Sequence, residues 1–534
     1  MKLSNLKPLY WLFLIPLPLF LPYLLLDRFY FWGNPDGIFY ANIYTSYRDA
    51  LLSGEFFPHW IASANIGMGS LAFYSLSPLV YSITALINAP LLWLLTDNQQ
   101  MLVGFYASQL FGAWAMWYWL RRHYDERLSV AGAAIYTLIP YKFIVLYQHF
   151  NLAQMWAMAF LPLWFYAAED MQSRARQIVY AVMGALCFYA HPLTVISIGP
   201  LVLVYGLHRA RWQWRPLVKP LLLTHALILA LISSYLAAML TSLPWMQLKH
   251  WSGELFSALG NLYHIDDFLG LYAILILWLV YRQRQQEPDT LYFWGIVLAV
   301  LYVVATPLSY PLWAFIPAMN VFQFPFARLQ PGMVVAVTLL CMSLLARRQK
   351  DMTVAVASIL LLFVALCCLR LHLVYNRPHT VSQAVYEMAR EDHIMPATVY
   401  MPHWTPLLPN DLLLRHYEYK DLARAQVTFG RAKLEVKEEG NGWMNLHVNI
   451  QSPIATIVPT QFYIPAWKAY DGEKEIAVQP YPNGLIKLEL DKGEHTIRLR
   501  LEKTTLEILG DMVTLLALAA IPLLLRRSYA FKKS

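Results

Sequence analysis

The chain has 534 residues, of which 58% are hydrophobic and 14% charged. A soluble globular protein is about 25% charged, so a soluble enzyme is excluded. Apolar runs of about 20 residues, each long enough to cross a hydrocarbon core, mark a polytopic α-helical membrane protein. The formal net charge of +8 falls largely on short loops between those runs, the pattern of cytoplasmic loops rather than of a nucleic-acid surface.

Lys2 and Lys7 precede the first apolar run, residues 9–26, and place the N-terminus in the cytoplasm. The run lacks a small-residue cleavage site and exceeds a signal-peptide core, so it reads as a retained span. A polar-bearing outer loop, 27–100, follows. Asn34-Pro35-Asp36-Gly37 is turn chemistry. Residues 38–53 carry Tyr40, Tyr44 and Tyr47 at helical spacing, which predicts a short interfacial helix stopped by Gly54, with Asp36 near its N-terminus. Residues 71–95 are apolar but broken by Pro78 and Pro90. One complete crossing there would put Arg121, Arg122 and Arg127 outside, so this segment lies on the surface, re-enters or forms a hairpin.

Further spans are predicted at 101–120, 129–147, 152–169, 178–190, 193–208, 221–243, 267–281, 291–306, 333–346 and 352–375. A last one, near 506–525, is followed by Arg526, Arg527, Lys532 and Lys533. That makes about twelve spans with both termini cytoplasmic. No charge stands mid-span in the manner of a transport coupling site. Residues 1–375 thus form a transmembrane domain and 506–534 a closing helix with a basic tail. Between them, 376–505 read as an extracytoplasmic domain that starts with a helix at 381–390. From about Gln426 the pattern alternates with period two, with turns at Gly440-Asn441-Gly442, Asp471-Gly472 and Asn483-Gly484. This predicts a β-sandwich-like fold. The cysteines, Cys187, Cys341, Cys367 and Cys368, all lie in apolar spans, so no disulfide framework is implied in the outer domain.

Asp36 is the leading catalytic candidate, since a carboxylate can act as general base or hold a metal; the alternative is a helix N-cap. Asp49, beside Arg48, is a secondary acidic candidate, or else a solvated or locally paired charge. The outer loops also hold His59, His149, His191, His250, His264 and Arg328. Arg328 lies between two Pro-broken half-spans and suits a phosphate-bearing ligand, which a guanidinium grips bidentately; the alternative is an arginine snorkelling to the headgroups. Trp60, Trp251 and Trp404 are candidates for stacking on a sugar. No histidine pair has zinc-ligand spacing. No Walker loop, no G-x-G-x-x-G after a strand and no G-x-S-x-G occurs.

Three separated stretches carry a resemblance. Asp36, then Gly54-Glu55-Phe56-Phe57-Pro58-His59-Trp60, Gly67-Met68-Gly69 and Phe73–Tyr81, resembles the first outer loop of YfhO-type membrane proteins and of bacterial membrane proteins named as related to 6-pyruvoyl-tetrahydropterin synthase. Phe322-Gln323-Phe324-Pro325-Phe326-Ala327-Arg328 is similar to the second group's Gln-Phe-Pro-Trp-Arg motif. Residues 463–476 and 482–502 look like the outer β-domain that closes YfhO-type proteins. The chain departs from the pattern at Tyr40, at Gly67-Met68-Gly69, at Gln154 where a Glu is common, and in the residue added between Pro325 and Arg328.

Both groups look like the GT-C class of glycosyltransferases. The resemblance implies a polyprenyl-phosphate sugar donor, a cell-envelope glycan, lipid or polymer acceptor, and a place in the bacterial cytoplasmic (inner) membrane. It puts the base on Asp36 and the donor phosphate at Arg328, with His191 in the corresponding broken span. Tyr40, Arg48, His59, Trp60 and His149 complete the expected substrate-binding set. No cofactor is required; a divalent cation is compatible with the acids but not implied. The competing readings are a lipid-linked-sugar transporter and a non-catalytic glycan-binding or scaffold protein.

Overall fold

A computed structural model describes residues 7–26, 35–76, 78–91, 93–246, 289–306, 325–346, 352–375, 401–405 and 422–530, with single positions 277, 309 and 311. The described residues are mostly helical and end in an antiparallel sheet followed by one helix. The helices are α1 Lys7–Leu14, α2 Leu17–Leu26, α3 Pro35–Leu52, α4 Leu79–Asn88, α5 Asp97–Leu120, α6 Glu126–Leu138, α7 Pro140–Ile144, α8 Leu152–Ala168, α9 Arg174–Ala190 and α10 Pro192–Arg209. They continue as α11 Val218–Ser242, α12 Asp289–Ala305, α13 Pro325–Leu345, α14 Met352–Tyr375 and α15 Thr505–Ala530.

The bundle is built around α8. Every residue from Leu152 to Ala168 is buried, as expected of a helix apolar on all sides. Helices α5, α9 and α10 pack around it. At the periphery, α15 lies along α11 and leaves most of its leucines exposed, a surface that hydrocarbon would cover. Five described helical stretches are long and apolar enough to cross a membrane: Glu126–Tyr147, Pro192–Arg209, Arg215–Trp245, Arg328–Leu345 and Thr505–Arg526. Shorter apolar helices include Tyr10–Leu21, Leu79–Leu91, Leu152–Ala168, Leu291–Ala305 and Val354–Cys368. The predicted span 267–281 and the predicted helix 381–390 lie outside the described residues, except for position 277.

Two predicted helices differ in detail. The span expected at 129–147 falls within the membrane-length stretch Glu126–Tyr147 but is interrupted inside it. Ile139 takes ψ 136° before Pro140, because proline's ring disfavours a helical residue in front of it. Helix α7 restarts for five residues, a π-turn runs Val145–His149, and Phe150 closes it with φ +45°. The helix expected at 38–53 starts at Pro35, and it is no bare interfacial helix: Ala41–Tyr47 are buried. Tyr44 donates to Gln100 Oε1 at 2.8 Å, and the Tyr47 and Ser82 hydroxyls lie 2.8 Å apart. Residues 71–95 hold the ten-residue α4. At 1.5 Å per residue it spans about 15 Å, half a hydrocarbon core.

The sheet has seven strands: β1 Ala425–Phe429, β2 Ala432–Gly440, β3 Trp443–Pro459, β4 Trp467–Asp471, β5 Lys474–Ile476, β6 Val478–Pro480 and β7 Ile486–Leu501. The long antiparallel pair β3–β7 is its spine; β1 and β2 flank β3, while β4 and β6 flank β7. Alternation put Met444, Leu446, Val448 and Ile450 of β3, and Ile497 and Leu499 of β7, on one buried face. Among the described residues these strands form one antiparallel sheet. The register between β3 and β7 shifts between Ile450 and Ile454, and such a bulge bends a strand without ending it. The β4–β5 hairpin turns at Gly472 with φ +62°, which glycine adopts without steric penalty.

The core of the sheet does not stop at the sheet. Trp60, Met68, Leu71 and Tyr74, from the stretch between α3 and α4, with Trp245 and Met246 after α11, belong to the same apolar cluster. Polar contacts fasten the join. Asn441 Nδ2 donates to Glu55 Oε2 at 2.5 Å and to Trp60 O at 2.7 Å, and Asn441 Oδ1 accepts from Ala62 N at 2.6 Å. Gln461 Nε2 donates to Gly67 O at 2.6 Å, and Arg424 Nη1 to the same oxygen at 2.9 Å. Gly69 sits at φ +93°, and a Cβ there would fall 2.0 Å from the Trp60 ring.

Candidate functional site

The backbone puts Asp36 in the first turn of α3, inside the helix rather than capping it. Its side chain lies outside the described ones, and so does any pairing of Asp36 with Arg328. His250, Trp251 and His264 also fall outside the described residues.

Two predicted site residues do meet. His191 breaks the chain between α9 and α10, with φ −155° and ψ 95°. Arg328 stands in the first turn of α13. Arg328 Nη1 lies 3.4 Å from His191 Nε2, and Ser197 Oγ of α10 donates to Arg328 O at 2.9 Å. Burial and then the Arg328 charge hold the imidazole well below its usual range. It is therefore neutral at physiological pH, with one proton for two nitrogens. Nδ1 caps α10, accepting from Thr194 N at 3.3 Å, and lies 2.9 Å from Thr194 Oγ1. A neutral imidazole leaves the neighbouring guanidinium its full charge.

A row of tyrosines leads from near this pair to the stretch between α3 and α4. Tyr189 stacks on Tyr235 with ring centroids 5.7 Å apart. The Tyr235 hydroxyl donates to Ser75 O. Tyr74, next to Ser75, lies 5.2 Å from the His59 ring. His59 Nδ1 in turn lies 3.4 Å from Glu507 Oε1, on a glutamate side chain 1% exposed. Glu507 Oε2 accepts from the backbone and hydroxyl of Thr504, both at 2.8 Å, and Thr504 caps α15. Sequence reading passed over Glu507, although Thr504-x-x-Glu507 is a capping-box pattern visible in the chain.

Other predicted residues have structural positions. Trp60 is 1% exposed, donates to Gln461 Oε1 at 3.0 Å and meets Trp467 edge-on at 5.8 Å. It is a core residue and offers no face to a sugar. Arg48 Nη1 donates to Asp97 Oδ1 at 2.5 Å and to Gln100 Oε1 at 3.1 Å, and its Nε donates to Asp49 Oδ1 at 2.9 Å. Asp49 is thus a locally paired surface charge. Tyr40 is half-buried on α3, and His149, also half-buried, ends the π-turn. The Trp404 and His403 rings lie 3.8 Å apart, tilted by 30°, and Trp404 meets Tyr463 edge-on.

One charge does lie within a span. Lys142 of α7 is fully buried, and its Nζ has no hydrogen-bond partner among the described residues. The expectation of uncharged span interiors fails at Lys142: the lysine is visible inside 129–147, but its inward direction is not. Among the described residues no three His, Cys, Asp or Glu side chains group so as to hold a metal ion.

The fold and these positions define a helix-rich chain with several helices fit to cross a membrane and a C-terminal antiparallel sheet domain. No family model matches the chain, and no curated protein matches it.

Proposed function

We propose that the chain is an integral-membrane glycosyltransferase of the GT-C kind. It takes a sugar from a polyprenyl phosphate and passes it to a glycan, lipid or polymer at the outer face of the bacterial cytoplasmic membrane. Its transmembrane part comprises about twelve spans, both termini face the cytoplasm, and residues 376–505 lie outside. The observation that carries the reading is the Arg328–His191 pair, 3.4 Å apart where α10 and α13 begin. Arg328 docks the donor phosphate there, while the lipid tail stays in hydrocarbon. Asp36 takes the proton of the acceptor hydroxyl as that oxygen attacks the anomeric carbon. The carbon–phosphate oxygen bond breaks with inversion, and the polyprenyl phosphate leaves as an anion stabilised by Arg328. No metal is required. The sheet domain, fastened to the outer loop through Asn441 and Gln461, holds that loop in place.

The test is Asp36→Asn in full-length protein reconstituted in vesicles with a polyprenyl-phosphate sugar. Transfer falls by about 10²–10⁴-fold, the share of a positioned base. An unchanged rate in a variant that is made and inserted removes the mechanism.

A second reading, a lipid-linked-sugar transporter, is favoured by the broken stretch α6–α7 with its buried Lys142, since discontinuous helices line transport sites. It predicts lipid-sugar movement that survives Asp36→Asn.

A further inference from the structure

Lys142 stands where a bundle should not leave a lysine. Its side chain is fully buried, and no carboxylate among the described residues lies within ion-pair distance. The amine sits 3.8 Å from the centroid of the Tyr136 ring, a contact that returns only part of what an ammonium loses on leaving water. One helix away, Gln109 of α5 is also fully buried, and both its amide nitrogen and its amide oxygen are without partners among the described residues. Gly112, one turn further along α5, forms the wall beside the amine: a Cβ there would lie 3.7 Å from Lys142 Nζ and 3.3 Å from Ala159 Cα. A glutamine and a glycine three apart share a helix face, so the orphaned amide and the amine border the same stretch of α5.

The backbone around Lys142 is equally unusual. Five residues of α7 are caught between the extended Ile139 and the π-turn, beyond which Phe150 is left-handed. Irregular backbone at membrane depth persists where it is buried in protein or lines a cavity, and π-turns recur at functional sites. An ionisable side chain inside a membrane bundle without a counter-charge is itself a mark of function.

We propose that Lys142 and Gln109 form an intramembrane site for a singly charged oxyanion, a carboxylate or a phosphodiester. The ammonium supplies the single positive charge and three N–H donors, and the Gln109 amide adds two more. The Gln109 oxygen accepts from a hydroxyl carried next to the anion. Water alone would satisfy the donors but leave the charge uncompensated. None of this depends on sugar transfer.

The experiment uses the purified full-length chain in a nonionic detergent at constant ionic strength, with the unfolding midpoint followed by tryptophan fluorescence. One arm titrates dimethyl phosphate, a soluble phosphodiester. The other adds phosphatidylglycerol to the micelles, with phosphatidylcholine as control. Ligand that binds only the folded state raises the midpoint with concentration. The wild-type midpoint rises in at least one arm. Lys142→Met starts from a higher midpoint without anion and stays flat. Arg328→Met keeps the rise, which separates this site from the phosphate contact proposed above. A rise with phosphatidylglycerol alone identifies a lipid headgroup; a rise with both identifies a freely diffusing oxyanion. No rise in the wild type, or an equal rise in Lys142→Met, overturns the proposal, water being then the occupant. Should Lys142→Met not be recovered folded, Gln109→Leu decides: its half-saturating concentration increases about tenfold, as for a lost hydrogen bond to a charged group, and an unchanged value overturns the proposal.

Discussion

Glu169 and Lys142, two charged side chains of the described bundle, stand in opposite surroundings. Glu169, just past the end of α8, has a side chain only 6% exposed. Its Oε1 accepts from Trp119 Nε1 at 2.8 Å and from the Tyr205 hydroxyl at 2.9 Å, lies 2.7 Å from His123 Nε2, and Arg176 Nη1 is 3.7 Å from Oε2. These donors come from α5, α9, α10 and the turn after α5, so one carboxylate ties together the elements that surround α8. Lys142 has only a ring beneath it. The first arrangement holds the fold and needs nothing from outside the chain. The second strains the fold, and a sequence keeps such a residue when something else uses it.

The largest effect is expected at the saturated site. Glu169→Ala strands the Trp119 and Tyr205 donors, the His123 ring and the Arg176 charge, and breaking such a buried network is expected to destabilise by about 3–5 kcal/mol. A marked fall in the thermal unfolding midpoint checks it, and a fall no larger than that of an exposed glutamate would break the comparison. Lys142→Met should move the other way. Replacing a buried unpartnered lysine by an apolar chain of similar length is expected to raise the unfolding midpoint, because a polar group without partners no longer has to be desolvated, while any anion response is lost. Glu169→Gln falls between, because the amide oxygen still accepts from Trp119 and Tyr205 but has no charge for Arg176; a loss of about 1–2 kcal/mol follows from hydrogen bonds that were charge-assisted.

The smallest effect lies on the surface of the sheet. His495 Nδ1 is 2.7 Å from Asp471 Oδ2, and Asp471 Oδ1 accepts from Thr496 N at 3.0 Å. Partial burial disfavours the charged imidazole, but Asp471 outweighs it and raises the His495 pKa. Partial burial also opposes the Asp471 carboxylate, but His495 and the Thr496 amide outweigh it and lower the Asp471 pKa. The histidine's contribution is complete below its unfolded pKa of about 6.5 and fades as pH rises through the raised value. The aspartate's is complete above its unfolded pKa of about 3.9 and fades as pH falls through the lowered value. The pair therefore stabilises most where both are charged, in mildly acidic solution. An exposed pair contributes under about 1 kcal/mol. The midpoint measured from pH 4 to 9, wild type against His495→Gln, should differ most near pH 5–6 and converge in the alkaline range.

Much of this architecture was legible in the residues. Runs such as 178–190, 193–208 and 352–375 fell within a few residues of α9, α10 and α14, because apolar length and basic flanks are local signals. So was the alternation that became β3 and β7. Where local signals compete with packing, reading stopped short. Pro140 was in view, but the π-turn after it has no residue signature. Trp60 looked like an exposed outer-loop aromatic, because the groups that bury it, Gln461 and Trp467, come about four hundred positions later. The Glu169 network is assembled from residues 119, 123, 176 and 205, a convergence only the fold produces. Of the candidate site, the pairing expected from the sequence was Asp36 with Arg328, which lies outside the described side chains; the approach of His191 to Arg328, 137 positions apart, had no local signal.

The most direct test of the functional account is the rate of sugar transfer from a polyprenyl phosphate by reconstituted Arg328→Met beside wild type. Loss of a preorganised cation at the departing phosphate should lower the rate by about 10²–10³-fold while the unfolding midpoint stays near that of the wild type. Transfer at the wild-type rate in a folded Arg328→Met protein would contradict it.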